Sequence, residues 1–281
     1  MKPARFDYAT PQSASEVSTQ LSNGNGTTKL VAGSQSLGPM LNLRLARPER
    51  LLDVSALPDL REVRETAAGF EIGAAITHAE IEDGDIADPT KGWLREAAAN
   101  IAHRAVRNRG TLGGSLAHAD PAADWVIVMT GLGATVLIDG SHGRREVAME
   151  DFVIGPFETA LSQDELISAV RVPKFANNAR WGYWKFVRQV GEFAKASATV
   201  LVEPDQGTAR IAVGALGRQP LVLDADTSKG LLEGRIQTGA ALSTALPNRT
   251  TADLSMHTAA LNKALALAQE NNRQSDGGPA A

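Results

Sequence analysis

The chain has 281 residues, 43% of them hydrophobic, with 28 basic and 32 acidic side chains and a formal net charge of -4. That length suits one large domain or two modest ones with a sizeable core, and the charge is too even for a nucleic-acid binder, whose basic surplus gathers on one face. Cysteine is absent, which excludes disulfides, thiolate nucleophiles and cysteine-held iron–sulfur or zinc centres in this chain.

Any redox chemistry here therefore needs an organic cofactor. The histidines, His78, His103, His118, His142 and His257, show no HxxxH or HExxH spacing, so no metal site is expected. The opening "MKPARFDYATPQ" lacks the apolar core of a signal peptide, and no apolar run approaches membrane-spanning length. The expectation is a soluble cytoplasmic protein with no membrane insertion and no nucleic-acid partner.

In chain order, "TKLVAG" (28–33) reads as a strand ending in a glycine turn, and "SLGPMLNLRLA" (36–46) as a helix with Leu37, Met40, Leu41 and Leu45 at helical spacing. "LLDVS" and "FEIGAAI" read as strands and "THAEIED" as a capped helical turn, in which Thr77 and Glu80 form a capping box. "GWLREAAANIAHRAV" (92–106) predicts one continuous helix. The stretch "RNRGTLGGSLAHADPAADW" (107–125) reads as a glycine-rich loop leading into a buried helix over "PAADWVIVMTGL", with its proline in the first turn. The strand "GATVLI" and a hairpin through "DGSHGRREV" follow.

Beyond a domain boundary near residue 170, "RWGYWKFVRQ" predicts an alternating strand and "TARIAVGALGRQPLVL" another. "GEFAKASATVLVEP" fits either a helix entry or a buried strand. "TADLSMHTAALNKALALAQE" is the clearest helix, and the tail 273–281 has no apolar anchor and is expected to be disordered. His103 and His257 are expected at the surface or half-buried in helical patterns. Trp181 and Trp184 read as core or interface residues.

Two segments combine glycines and hydroxyls between apolar elements. In "VAGSQSLGP" a strand runs through Gly33, Ser34, Gln35 and Ser36 into a helix. Such a turn presents successive backbone N–H donors to a phosphate or pyrophosphate, although an ordinary strand-to-helix turn has the same sequence. In the second, Gly110, Gly113 and Gly114 flank Thr111, and a ligand can approach the main chain closely where no Cβ intervenes. Asp124 is placed to accept from ribose hydroxyls or, alternatively, to cap the helix or pair with Arg107 or Arg109. Two anion-compatible loops suggest a ligand with two phosphates.

The segments "KLVAGSQSLGPMLNLRLARPERLLDVS", "THAEIE", "RNRGTLGGSLAHADPAADW" and "GEFAKASA" together resemble the flavin-binding medium subunit of the molybdenum hydroxylases. The match runs in order through most of the chain, with the AGxxSL loop, the TxGG loop and the G[DE][FY]A segment in the expected sequence.

The resemblance implies an α+β protein. Its FAD-binding PCMH-type domain (1–170) has two α/β subdomains, about 1–57 and 58–170, followed by a C-terminal α/β domain (171–272) with a small antiparallel sheet. It further implies that FAD is held by Leu30, Val31, Ala32, Gly33, Ser34, Gln35, Ser36 and Leu37 and by Thr111, Gly113, Gly114 and Ser115. Ile101, His118, Asp124, Ile167, Lys185 and Phe193 match further cofactor-lining positions. Phe193 stands where a relative looks to have a tyrosine beside the flavin ring, which keeps stacking and loses the phenolic hydrogen bond. Ser34 replaces the second glycine of the common AGG loop, at little cost if its backbone angle is ordinary.

Lys185 reads either as a lysine snorkelling from a strand or as a lone cation near the flavin that stabilises its reduced form. No catalytic side chain is expected in this chain. The resemblance implies that [2Fe-2S] clusters and a molybdopterin-type molybdenum cofactor reside in a small and a large partner subunit, in a dimer of heterotrimers. Relatives that reduce aromatic coenzyme A thioesters carry an iron–sulfur cluster in this subunit, which a chain without cysteine cannot hold. The competing expectations are a free-standing FAD-dependent oxidoreductase and a flavin-free structural subunit.

Overall fold

The computed structural model describes residues 2–275. The first three strands, β1 (Asp7–Ala9), β2 (Thr28–Val31) and β3 (Arg50–Asp53), form a parallel sheet in the order β1-β3-β2. Helix α1 (Ala14–Asn23) links β1 to β2, and α2 (Leu37–Asn42) links β2 to β3. Ser13 starts α1 by accepting from the Glu16 N–H. Val17 and Leu21 on one face of α1 pack with Leu52, Leu57 and Leu60. The helix expected over 36–46 ends early: Leu43 caps α2 and Arg44 turns to φ 59°, which terminates the helical ladder before Leu45.

The second sheet is antiparallel, ordered β4-β5-β10-β6-β7. Its strands are β4 (Val63–Thr66), β5 (Gly69–Gly73), β6 (Thr135–Gly140), β7 (Gly143–Ala148) and the central β10 (Leu166–Val172). Between β5 and β6 come α3 (His78–Asp83), α4 (Trp93–Ala99), α5 (Arg104–Arg107), α6 (Leu112–His118) and α7 (Asp124–Leu132). After β7 stand α8 (Met149–Phe152) and a small ribbon of β8 (Val153–Gly155) with β9 (Glu158–Thr159). Every residue of α7 is buried, as its unbroken apolar run requires of a helix with no polar face.

Three expectations are corrected here. The run 92–106 is broken between α4 and α5, because Ala102 adopts φ 43° and His103 is extended as the cap of the next helix. The stretch read as a loop contains α6: Thr111 caps it and the absence of side chains at Gly113 and Gly114 allows a tight turn rather than a flexible one. Pro121 precedes α7 instead of lying in its first turn, since Ala123 is the cap.

The remaining strands, β11 (Arg180–Phe186), β12 (Ala196–Glu203), β13 (Thr208–Gly214) and β14 (Leu221–Val222), make an antiparallel sheet in sequence order. Helices α9 (Ala225–Leu232), α10 (Thr238–Ala245) and α11 (Thr251–Ser275) follow. β12 settles the ambiguous segment. Ala196 to Leu201 are buried on both faces, between α7 on one side and α11 on the other, so no alternation marks the strand. Gly182 lets α11 approach β11, since a Cβ there would lie 2.9 Å from the Ala268 nitrogen and collide with the Ala264 carbonyl.

β10 runs across the expected boundary near residue 170, and the core around Trp125 reaches into the third sheet through Trp181, Tyr183, Leu201 and Ala212. His257 is wholly buried in α11, not half-exposed, with ring nitrogens 2.9 Å from the Asp253 carbonyl and 3.2 Å from that of Gly214. α11 runs through the first residues of the expected disordered tail; residues 276–281 lie outside the described residues. Among the described residues no helix is long and apolar enough to cross a membrane, and no cluster of three His, Asp or Glu side chains is placed to hold a metal.

Candidate FAD site

The loop after β2 lies at the carboxyl ends of the parallel strands, the usual binding edge of an open α/β sheet. Val31 and Leu37 turn into a small core with Leu41 and Leu51, and Leu30 and Ala32 pack against the core formed by Leu52 and Val54. These four residues shape the loop through packing. Between them, the backbone N–H groups of Gly33, Ser34, Gln35, Ser36 and Leu37 donate to nothing among the described residues, while the Gln35 amide folds back to the Gly33 carbonyl at 2.9 Å. Five consecutive free donors form a cradle suited to a diphosphate. Ser34 has φ 60°. The angle is therefore not ordinary, and the serine carries a left-handed strain that glycine would avoid.

The second loop touches the first. A Cβ on Gly33 would collide with the Arg109 carbonyl and lie 2.8 Å from Gly110 Cα. Its own amides are already used: Leu112 N–H donates to Ile76 O (3.0 Å), Gly113 N–H to Ala74 O (2.8 Å), Gly114 N–H to Thr111 Oγ1 (3.1 Å) and Ser115 N–H to Thr111 O (3.0 Å). Gly113 is buried against Ala74, whose Cβ a side chain there would meet at 2.5 Å; Gly114 is exposed and would meet only Thr111 Oγ1 at 2.7 Å. The second loop thus offers the bare face of Gly114 and the half-buried Ser115 hydroxyl rather than free amides, while Thr111 is buried with its hydroxyl capping α6. His118 is half-buried at the far end of α6, its ring 5.1 Å from that of Phe157. Ile167 is buried in β10, beneath α6.

A third group comes together where α7 meets the third sheet. Asp124 pairs with neither Arg107 nor Arg109. Its Oδ1 lies 2.7 Å from Lys185 Nζ and accepts from the Tyr183 hydroxyl, while Lys185 also donates to the Asn100 carbonyl at 2.7 Å. Arg107 is instead held by Glu82 through bonds of 2.7 and 2.8 Å and donates to the Ile101 carbonyl at 2.9 Å. Lys185 is accordingly not a lone cation. Burial pushes the Asp124 carboxyl up, with Lys185 and Tyr183 opposing, and burial together with the Asp124 charge pushes the Tyr183 phenol well up. The break after α4 sets Ile101 next to Asn100 in this group. Phe193 is 56% exposed on a segment where Gly191 lies against the His103 ring.

Tyr183 and Trp125 were not singled out by the sequence, in which His78 is left open as a contact to the cofactor or a partner. The alternation in "RWGYWKF" carried a usable signal for Tyr183, since it sets Trp181, Tyr183 and Lys185 on one face of β11. The Thr77–Glu80 capping box is present as expected. His78 beside it is buried, its Nδ1 accepts from Trp125 Nε1 at 2.9 Å, and burial with the Arg107 charge lowers its pKa to about 4. Trp181 is buried and stacks on Trp93 at 5.5 Å, whereas Trp184 is half-exposed.

Residues 4–175 match the family described as the FAD binding domain in molybdopterin dehydrogenase. The chain is 34% identical over 246 residues to the carbon monoxide dehydrogenase medium chain of Hydrogenophaga pseudoflava, covering 87% of this chain and 86% of the relative. It is 36% identical over 230 residues to the nicotine 6-hydroxylase medium subunit of Paenarthrobacter nicotinovorans, covering 80% of each. Among solved structures, the Hydrogenophaga carbon monoxide dehydrogenase lacking the Mo-pyranopterin moiety superposes with a TM-score of 0.86 at 31% identity, over 96% of this chain and 99% of that one. Quinoline 2-oxidoreductase from Pseudomonas putida 86 gives a TM-score of 0.79 at 29% identity, over 98% and 99%. The mixed α/β arrangement of several sheets is shared with these structures, and the chain belongs to the family of FAD-binding medium subunits of the molybdenum hydroxylases, as a flavoprotein subunit of an oxidoreductase complex.

Proposed function

We propose that the free amides of Gly33 to Leu37 receive the diphosphate of one non-covalent FAD per chain, and that the exposed face of Gly114 with the Ser115 hydroxyl, on the helix that Thr111 caps, lines the same cofactor. The five unpartnered N–H groups, beside a second loop that a Cβ on Gly33 would strike, carry this reading. Ile101, His118, Asp124, Ile167, Lys185 and Phe193 are assigned to the remainder of the site. Lys185 has three N–H donors, of which Asp124 and the Asn100 carbonyl take two; the third is available to the cofactor. Because Asp124 matches its charge, Lys185 contributes a directed hydrogen bond more than a net positive field. Phe193 offers an aromatic face without a hydroxyl.

When bound, FAD supplies the electron-carrier chemistry that the side chains lack. The protein's residues bind and orient it and set its surroundings; no general acid or base is assigned. We place the [2Fe-2S] clusters in a small partner subunit and the molybdopterin-type cofactor in a large one, the three chains pairing into a dimer of heterotrimers. Electrons released by substrate oxidation in the large subunit then reach this chain through the small one and leave to an external acceptor. Acid precipitation of the purified complex should release one FAD per copy of this chain. A colourless supernatant from folded protein overturns the cofactor assignment, and hydroxylation by the isolated chain overturns the division of labour.

A further inference from the structure

We propose that His78 is a positioning residue for the cofactor loops, its ring acting as the spacer that sets Gly110 between Trp125 of α7 and Gly33 of the first loop. The inference rests on the reading that the Gly33–Leu37 amides receive the diphosphate.

The capping box accounts for Thr77 and Glu80 and leaves the identity of residue 78 unexplained, since any good helix former serves in the first turn. The contacts of the side chain explain it. An indole N–H can only donate, so the His78 Nδ1 that receives Trp125 Nε1 at 2.9 Å is unprotonated, and the neutral ring carries its proton on Nε2. Trp125 is wholly buried, so the position of its indole is set by its neighbours, His78 among them. The opposite edge of the imidazole faces Gly110, where a Cβ would lie 2.7 Å from Nε2 and 2.8 Å from Cδ2. The main chain of His78 grips the same residue, its N–H donating to Gly110 O at 2.9 Å, and Thr77 bridges Thr111 next to it.

Gly110 in turn backs Gly33, so Trp125, His78, Gly110 and Gly33 form one stack with no slack between members. Closely packed groups transmit displacement. A side chain that fills the space of His78 without accepting from Trp125 lets both the indole and Gly110 shift, and the first loop follows. Asp124, next to Trp125, ties the same end of the stack to Lys185.

The test measures FAD affinity of the full chain by flavin fluorescence, together with its melting temperature. His78→Leu should weaken FAD binding about tenfold, through loss of a buried hydrogen bond and the resulting shift. Trp125→Phe should weaken it by a similar factor, and the double variant should lose no more than either alone, because both break one chain of contacts. His78→Asn, which keeps an acceptor near the place of Nδ1, should retain most of the affinity. Val200→Ala, in the separate core between β12 and α11, serves as a control for general destabilisation. Ring nitrogen NMR should show Nδ1 bare and Nε2 protonated. Failure of the wild-type chain to bind FAD overturns the diphosphate reading. Wild-type binding with equal binding by His78→Leu, or a loss no larger than that of Val200→Ala, overturns the positioning role alone. If His78→Leu does not fold, Trp125→Phe against His78→Asn decides by the same criterion.

Discussion

Lys185 Nζ and Asp124 Oδ1 lie 2.7 Å apart, with both side chains more than nine-tenths buried where the third sheet meets α7. Removing one partner strands the other in a medium that solvates it poorly. Lys185→Met should therefore cost about 3 kcal/mol or more of stability. Adding Asp124→Asn should recover part of that loss, since no charge then remains buried. Denaturant titration of the four proteins closes the cycle, and a single variant as stable as the wild type contradicts a buried pair.

Ser34 holds φ 60° in the amide cradle. An L residue in that conformation costs roughly 1–2 kcal/mol, and glycine gives back about 0.4–1 kcal/mol through its freer unfolded chain. Ser34→Gly should thus raise stability by up to about 1 kcal/mol and keep FAD, whereas Ser34→Val, β-branched, should lose both. Melting curves with flavin content read the two effects together.

The adjacent glycines of α6 should separate folding from binding. Gly113→Ala drives a methyl into Ala74 of the segment after β5 and should cost about 1–3 kcal/mol through overpacking. Gly114→Ala meets only the Thr111 hydroxyl and faces outward, so the fold should persist while FAD affinity falls. Thr111→Ala, which removes the cap, should cost about 1 kcal/mol. A larger stability loss in the Gly113 variant and a larger flavin loss in the Gly114 variant is the expected pattern, and retention of full flavin by Gly114→Ala contradicts the assignment of that face.

His78 makes stability pH-dependent. Its folded pKa of about 4 lies below the ordinary histidine value of 6.5, so the unfolded chain takes up its proton first as the pH falls. Its contribution is complete above pH about 6.5 and declines by about 1.4 kcal/mol per pH unit down to about 4, roughly 3 kcal/mol in all. Asp124, pushed up by burial, acts with the opposite sign, and Glu82, held low by Arg107, begins to lose its contribution as the pH falls through the ordinary carboxylate value of 4.5. The difference between wild type and His78→Asn isolates the histidine: the slope between pH 6.5 and 4 should be shallower in the variant, and identical slopes contradict a buried neutral His78.

The local pattern of this sequence determined most of the elements and the place of the amide cradle. The apolar run in α7, the Thr77–Glu80 capping box and the strand–glycine–helix turn at Gly33 each express rules that act over a few residues. Tertiary contacts decided the rest. Strand β12 carries no alternation because it is buried from both sides, a condition set by α7 and α11 rather than by its own residues. The break at Ala102 lets the Asn100 carbonyl reach Lys185, 85 residues away in sequence. Whether a glycine marks a cradle or a packing contact was equally invisible, since Gly113 and Gly114 are neighbours in sequence and one meets Ala74 while the other meets solvent. The partner of a buried charge is chosen by which chain segments the fold brings together, and no spacing rule links Asp124 to Lys185 or His78 to Trp125.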